Sequence, residues 1–295
     1  MQHASPASSG ATLPPLRRLA GTGKLLDGRV GIVTGASHGI GEAAATAMAD
    51  AGATVVLAAR NEHALEEVAA RIDATRRRAS VVATDVTDPS AVERLVKETT
   101  ARYGRLDVAF NNAGDGHAPV PLADLRVEDF DRTVATNARG VFLSMKYEIP
   151  AILSSGGGSI VNMTSTAGLE GVSGIAGYAA GKHAVVGLTR VAALDYAGAG
   201  VRVNAVAPGP ILSERIAAEE VRRRVASGVP IGRIGEREEV AGVVVWLLSD
   251  LASFVTGTVV TVDGGMTSGV RVVRPPDTPV ATPRTSDQQA RGRSR

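Results

Sequence analysis

V-G-I-V-T-G-A-S-H-G-I-G, Val30 to Gly41, decides how this chain folds. Its opening residues form a short apolar run, and glycines at 35, 39 and 41 then let the backbone turn tightly before a segment of helical period begins. A strand that passes through such a turn into a helix aims the unpaired N–H groups of the helix start at whatever lies over the turn, and that end favours a phosphate. The stretch therefore reads as the diphosphate cradle of a dinucleotide-binding βαβ unit. A glycine-rich turn with no ligand would look the same locally, so the rest of the chain has to carry the reading.

Outward from this turn the alternation repeats. Apolar runs rich in Val and Ile at 54–58, 81–83, 106–110, 159–162, 201–206 and 258–262 are separated by longer segments of helical period. With Val30 to Val33 they predict about seven strands in a single-domain α/β fold, a Rossmann-type doubly wound parallel sheet covered on both faces. Asp88-Pro89 caps and starts a helix through Thr100, and Gly52 and Gly104 punctuate helix ends. A length of 295 residues, 44% apolar, suits one large domain at 25–270. The Pro/Ser/Thr-rich segments 1–24 and 271–295 read as disordered tails, the second of them basic.

Charge distribution argues against a nucleic-acid partner. The tails carry +3 and +4, so a total of +2 leaves the core at −5, a sign that repels a phosphate backbone. The chain has no Cys, which excludes disulfides and thiolate metal sites, and we read no metal site of any kind. Apolar runs broken by Asp250 and Gly257 give no membrane span, and the first residues lack a basic end followed by an apolar run. The expected location is cytoplasmic.

The chemistry-bearing stretch is S-T-A-G-L-E-G-V-S-G-I-A-G-Y-A-A-G-K, Ser165 to Lys182. If 174–194 is a helix, Tyr178 and Lys182 are an i,i+4 pair on one face. An ammonium beside a phenol favours the phenolate and makes Tyr178 a usable general acid or base. A hydroxyl from Ser165, at the end of a strand, is placed to polarise the oxygen that Tyr178 protonates. A Tyr–Lys pair at helical spacing is also what a solvated face with a packed ring looks like, so this pair, too, needs the rest of the chain. Elsewhere at the carboxyl ends of strands stand Ala59-Arg60, Asp85-Val86 and N-N-A-G, Asn111 to Gly114. Asp85 is either a residue approaching a helix or a partner for an adenine edge, and the small residues after Asn112 leave room for a ring system.

In order, T-G-A-S-H-G-I-G, N-N-A-G, Asn137 in T-N-A-R-G, Ser165, Y-A-A-G-K and Pro208-Gly209 resemble the short-chain dehydrogenase/reductase family over roughly residues 25 to 268. The resemblance implies that Tyr178 is the acid/base, Lys182 holds the nicotinamide ribose and lowers the phenol's pKa, and Ser165 orients the substrate oxygen. Asn137 would complete the site by supporting a water next to Lys182, or would simply cap a helix. Gly35, Ser37, His38, Gly39, Ile40 and Gly41 would line the phosphates, Asp85 and Val86 the adenine, and Asn112, Ala113 and Gly114 the ribose side. Pro208, Gly209, Ile211 and Ser213 match the segment that receives the carboxamide, with Ser213 where Thr is more common. Gly181 departs from a common Ser, and His183 points away from the reacting face.

The expectation is an oxidoreductase moving hydride between NADP(H), less so NAD(H), and a ketone/secondary alcohol. Ala59 offers no carboxylate to a ribose, and Arg60 can pair with a 2′-phosphate, unless it is only solvated and Glu62 reaches the ribose instead. An NAD-linked alcohol or sugar dehydrogenase is the alternative, and a non-catalytic nucleotide-sensing protein on the same fold is another. The expected partners are a small carbonyl or alcohol substrate and, through small residues on the helices near Asn137 and Gly174, further copies of the chain in a homotetramer. An acyl carrier protein is not expected, because Ser154 to Gly158 and Tyr196 to Gly200, read as flanking the active-site mouth, carry no base.

Overall fold

The computed structural model describes residues 24–75, 77–213 and 218–269; the tails read at 1–24 and 271–295 lie outside the described residues apart from Lys24. The chain alternates strand and helix from the start: β1 (Val30–Thr34), α1 (Gly39–Asp50), β2 (Thr54–Ala59), α2 (Glu62–Ile72), β3 (Ala79–Ala83), α3 (Pro89–Tyr103) and β4 (Val108–Asn111). There follow α4 (Val127–Val134), α5 (Gly140–Ser154), β5 (Gly158–Met163), α6 (Ala176–Tyr196), β6 (Val201–Pro208), α7 (Glu219–Ser227), α8 (Arg237–Leu248) and β7 (Val259–Val262). The strands form one sheet in the order β3-β2-β1-β4-β5-β6-β7, and every pairing is parallel. The winding reverses between β1 and β4, whose carboxyl ends pair as Thr34 with Asn111, and a crevice opens outside that reversal.

Continuous apolar strands follow from burial on both faces. Val33, Leu57, Phe110 and Val161 point to one face, where α1, α2 and α8 pack. Their neighbours Ile32, Val56, Ala109 and Ile160 point to the other, beneath α3, α5 and α6. Burying each of the Val, Ile, Leu and Phe side chains among them stabilises the fold by about 1.5–3 kcal/mol, which is why no strand can afford an alternating polar pattern.

Two local expectations shift. β3 ends at Ala83, so Asp85-Val86 fall in the turn beyond it, where Asp85 accepts from the Thr87 amide at 2.9 Å and the Thr87 hydroxyl at 2.8 Å. Asn137 does not open a helix; it sits inside a π-helical turn, Ala135–Arg139, that joins α4 to α5 without a break. The helix expected through Thr100 starts as read, with Asp88 accepting from the Ser90 amide at 2.9 Å, and runs on to Tyr103 before Gly104 stops it at φ 75°.

A polar chain crosses the core behind the crevice. Asn111 Nδ2 donates to Glu148 Oε2 and to Asn162 Oδ1, both at 3.0 Å, and Asn162 Nδ2 donates to Thr189 Oγ1 at 3.0 Å. Burial pushes the Glu148 carboxyl from 4.5 up to about 7, against the opposing effect of the Asn111 hydrogen bond. Folded protein then holds a proton that the unfolded chain has released, so this group's contribution to stability falls as pH rises from about 4.5 to about 7 and is flat above. The loss is on the order of 3 kcal/mol. Glu148→Gln, which mimics the neutral acid, should remove that decline. Urea unfolding at pH 5 and pH 8 measures it, and an undiminished decline in the variant would assign the proton to another group.

Candidate active site

The crevice is stitched at its floor. Thr34 Oγ1 accepts from the amides of Asn112 and Ala113 at 3.0 and 3.1 Å, and Asn112 Nδ2 donates back to the carbonyls of Thr34 and Gly35, both at 3.1 Å. The Asn112 side chain is thus a brace that holds the exit of β4 against the glycine turn. Gly35 has φ 66° and no room for a Cβ, which would stand 2.8 Å from Asn112 Nδ2. A Cβ on Gly41 would come to 2.1 Å from the Gly35 carbonyl oxygen, so α1 can start only where two glycines meet.

Above that floor the surface is clear. Gly39 has φ 66° and nothing within 4 Å of where a Cβ would be. His38 precedes α1 in extended backbone and gives no side-chain acceptor to the first-turn amides; its Nδ1 lies 3.0 Å from Ser37 Oγ. Free amide donors under an open patch fit a diphosphate. The residues present therefore suit a dinucleotide.

The side that carries Ser165, Tyr178 and Lys182 is built by β5 and α6. Ser165 follows β5 in extended backbone, and its Oγ accepts from the Ala167 amide at 3.2 Å, starting a short 3-10 turn, Thr166–Gly168. Thr164 Oγ1 donates to the Lys182 carbonyl at 2.8 Å and locks the strand exit to the helix. Lys182 is 2% exposed; its Nζ donates to the Met163 carbonyl at 2.8 Å and lies 5.6 Å from the centroid of the Tyr178 ring. Burial pulls its ammonium down to about 7, so Lys182 carries its full charge only below neutrality in this state.

Asn137 stands behind Lys182, fully buried. Its Nδ2 donates to the carbonyls of Asp115 at 2.6 Å and Thr133 at 2.8 Å, and its Oδ1 accepts from the Asp115 amide at 3.4 Å. The side chain occupies the i−4 carbonyl that the backbone of a regular helix would use, which accounts for the π turn. Gly181 has a matching role. A Cβ there would lie 2.9 Å from Asn137 Cβ, so the departure from Ser makes space for the turn.

A cleft of about 520 Å³ joins these parts. Gly35, His38, Gly39 and Ile40 line one end, Asn112, Ala113 and Gly114 the floor, Ser165, Tyr178 and Lys182 the reacting wall, and Pro208, Gly209, Ile211 and Ser213 the wall from β6. Ser37 and Gly41 shape the turn without lining the cleft, and Arg60, Asp85 and Val86 lie outside its lining. Arg60 is exposed directly after β2, close enough for its charge to act on Asp85, whose carboxyl is held low mainly by the Thr87 amide. Val86 packs under Gly140, where a Cβ would meet it at 2.9 Å. His117, in the loop after β4, also lines the cleft, as do Ile175 and Arg237, which sequence reading passed over.

Ser154 to Gly158 and Tyr196 to Gly200 do not flank this cleft. They lead into the first residues of β5 and β6, which pair as Gly158 with Val201, at the amino edge of the sheet and opposite the site. Their lack of bases therefore carries no argument about carrier proteins.

Residues 35–267 match a family model described as Enoyl-(Acyl carrier protein) reductase. Cyclohexanol dehydrogenase of Acinetobacter sp. is 43% identical over 244 residues, which cover 81% of this chain and 95% of that protein. The crystal structure of levodione reductase superposes with a TM-score of 0.78 at 37% identity, covering 83% of this chain and 100% of that one. A short-chain type dehydrogenase/reductase from Mycobacterium marinum gives a TM-score of 0.78 at 35% identity, covering 83% and 97%. The chain belongs to the short-chain dehydrogenase/reductase family. It is an oxidoreductase of a family whose cofactor is a nicotinamide dinucleotide. Among the described residues no helix is long and apolar enough to cross a membrane.

Proposed function

We propose that this chain is an NADP(H)-dependent ketoreductase that interconverts a ketone and a secondary alcohol, with Tyr178 as general acid/base. The observation that carries the reading is that Ser165, Tyr178 and Lys182 line one cleft with the open glycine turn. A nicotinamide cofactor held over the glycine turn by Gly35, Gly39 and Ile40 would supply or receive the hydride at the carbonyl carbon. Tyr178 gives its proton to the oxygen in reduction and takes it back in oxidation, while the Ser165 hydroxyl donates a hydrogen bond to the same oxygen. The ammonium of Lys182 favours the phenolate left behind, and Asn137 fixes the backbone that backs Lys182. A small ketone or alcohol as substrate is in keeping with the names of cyclohexanol dehydrogenase and levodione reductase.

Preference for NADP(H) rests on Ala59 and Arg60. Asn61 caps α2 by accepting from the Ala64 amide at 3.2 Å, which leaves Arg60 exposed at the exit of β2. An unpaired carboxylate there would repel a 2′-phosphate, and a guanidinium attracts it. The NAD(H) alternative draws on the acids nearby, Glu62 at the start of α2 and Asp85 beside Arg60.

Self-association, as a homotetramer, is read from an exposed apolar groove between α5 and α6. It has a volume of about 590 Å³ and is lined by Ala138, Arg139, Phe142, Ala184, Gly187, Leu188 and Val191. Phe142 is 47% and Val191 56% exposed, while Gly181, expected on this face, is turned inward. Burying such a patch against a copy of itself is the ordinary use of an isologous surface.

Tyr178→Phe should lower kcat by about 10²–10⁴ with cofactor affinity nearly unchanged; a variant within threefold of wild type removes Tyr178 from the mechanism. For wild type, kcat/KM should favour NADPH over NADH by about tenfold or more, and Arg60→Ala should erase most of that preference through KM. Equal use of both cofactors would show that the 2′-phosphate is not read. Light scattering should give the mass of a tetramer, and Phe142→Glu should reduce it; a monomeric wild type would contradict the assembly.

A further inference from the structure

Arg237 opens α8 and is exposed. A guanidinium in the first turn of a helix faces the positive end of the helix dipole, an unfavourable position unless an anion is near. Three acids stand beside it, and none pairs with it: Glu236 accepts from the Glu239 amide in a capping box, and Glu238 next to Arg237 makes no ion pair with it. Glu239 meets Arg233 with both oxygens at 2.7 Å and also accepts from the Glu236 amide at 2.8 Å. Among the described residues no hydrogen bond or ion pair engages Arg237.

Topology sets where this charge stands. α1 leaves the carboxyl end of β1 and α8 follows the carboxyl end of β6, so the two helices run in the same direction, side by side on one face of the sheet. Both therefore start at the edge that carries the cleft. Arg237 lines that cleft together with His38, Gly39, Ile40 and Ser213. The other fixed charges in the described lining are committed, Asp115 to its ion pair with Arg132 and Lys182 to the reacting wall. Arg60 is outside the lining altogether.

We propose that Arg237 binds the diphosphate of the dinucleotide from the α8 side of the cleft, a contact additional to the glycine turn and independent of the 2′-phosphate. The inference rests on the dinucleotide reading above, and it says which part of the cofactor this side chain recognises. Because the diphosphate is common to both nicotinamide cofactors, Arg237 adds affinity without adding discrimination between them.

Calorimetric titration of wild type and Arg237→Gln with NAD⁺, NADP⁺ and ADP-ribose tests it without turnover. Arg237→Gln should weaken all three by a similar factor, about tenfold or more for one charge-assisted contact. The salt dependence of binding should flatten in step, and Arg237→Lys, which keeps the charge, should bind between the two. An unchanged affinity in Arg237→Gln overturns the proposal, as does a loss confined to NADP⁺ or one that spares ADP-ribose. Those outcomes leave the dinucleotide reading standing, because wild type still binds. A wild type that binds none of the three overturns both.

Discussion

The hydroxyl of Thr34 is the constraint on which the rest of the site depends. Two amides from the exit of β4 converge on it, and the Asn112 side chain returns two hydrogen bonds to the carbonyls on the β1 side. β1 and β4 part company at this point, and without the stitch their ends would be free to splay where the sheet reverses its winding. Four bonds instead fix the glycine turn and the floor of the reacting side as one unit. The distance between the end of the cleft that suits a diphosphate and the end that carries Tyr178 is thereby set by the sheet.

A second constraint keeps the reacting wall in place at an electrostatic cost. Lys182 is enclosed so completely that its ammonium is pulled down to about 7, and its Nζ donates to the Met163 carbonyl. Such enclosure is destabilising for a charged amine. It is tolerated because Thr164 ties the strand exit to the Lys182 backbone and because Asn137, from its π turn, closes the space behind. The same enclosure reduces the charge the amine carries at neutral pH, and with it the pull on the Tyr178 phenol.

Much of this was legible in the sequence, and the misses share a cause. The strands and the Ser165 to Lys182 stretch are local patterns, written in runs of adjacent residues or in i,i+4 spacing. The glycine turn is also local, although the collision of a Gly41 Cβ with the Gly35 carbonyl can be seen only in three dimensions. Asn137 was legible as a residue and not as a geometry, since its side chain competes for a carbonyl that sequence alone gives to the backbone. Arg237 was passed over because nothing near it in the chain marks it; its place follows from two helices that are far apart in sequence and parallel in space. The mistaken position of Ser154 to Gly158 and Tyr196 to Gly200 came from treating helix ends as equivalent, when only those at the carboxyl edge adjoin the cleft.

The alternation of side chains across the sheet has a consequence for how the chain can change in length. In β5, Ile160 and Val161 face opposite layers, and Ser165 follows the strand end by two residues. Deleting one residue within β5 would turn the side chains on one side of the deletion to the wrong layer, or draw Ser165 back from the wall it lines. One residue added in the turns at 155–157 or 197–200 shifts nothing at the carboxyl edge, because the strand register downstream can be kept. Insertions and deletions are therefore absorbed at the amino edge of this sheet, and chemistry can diversify at the opposite edge by substitution while the strand lengths stay fixed.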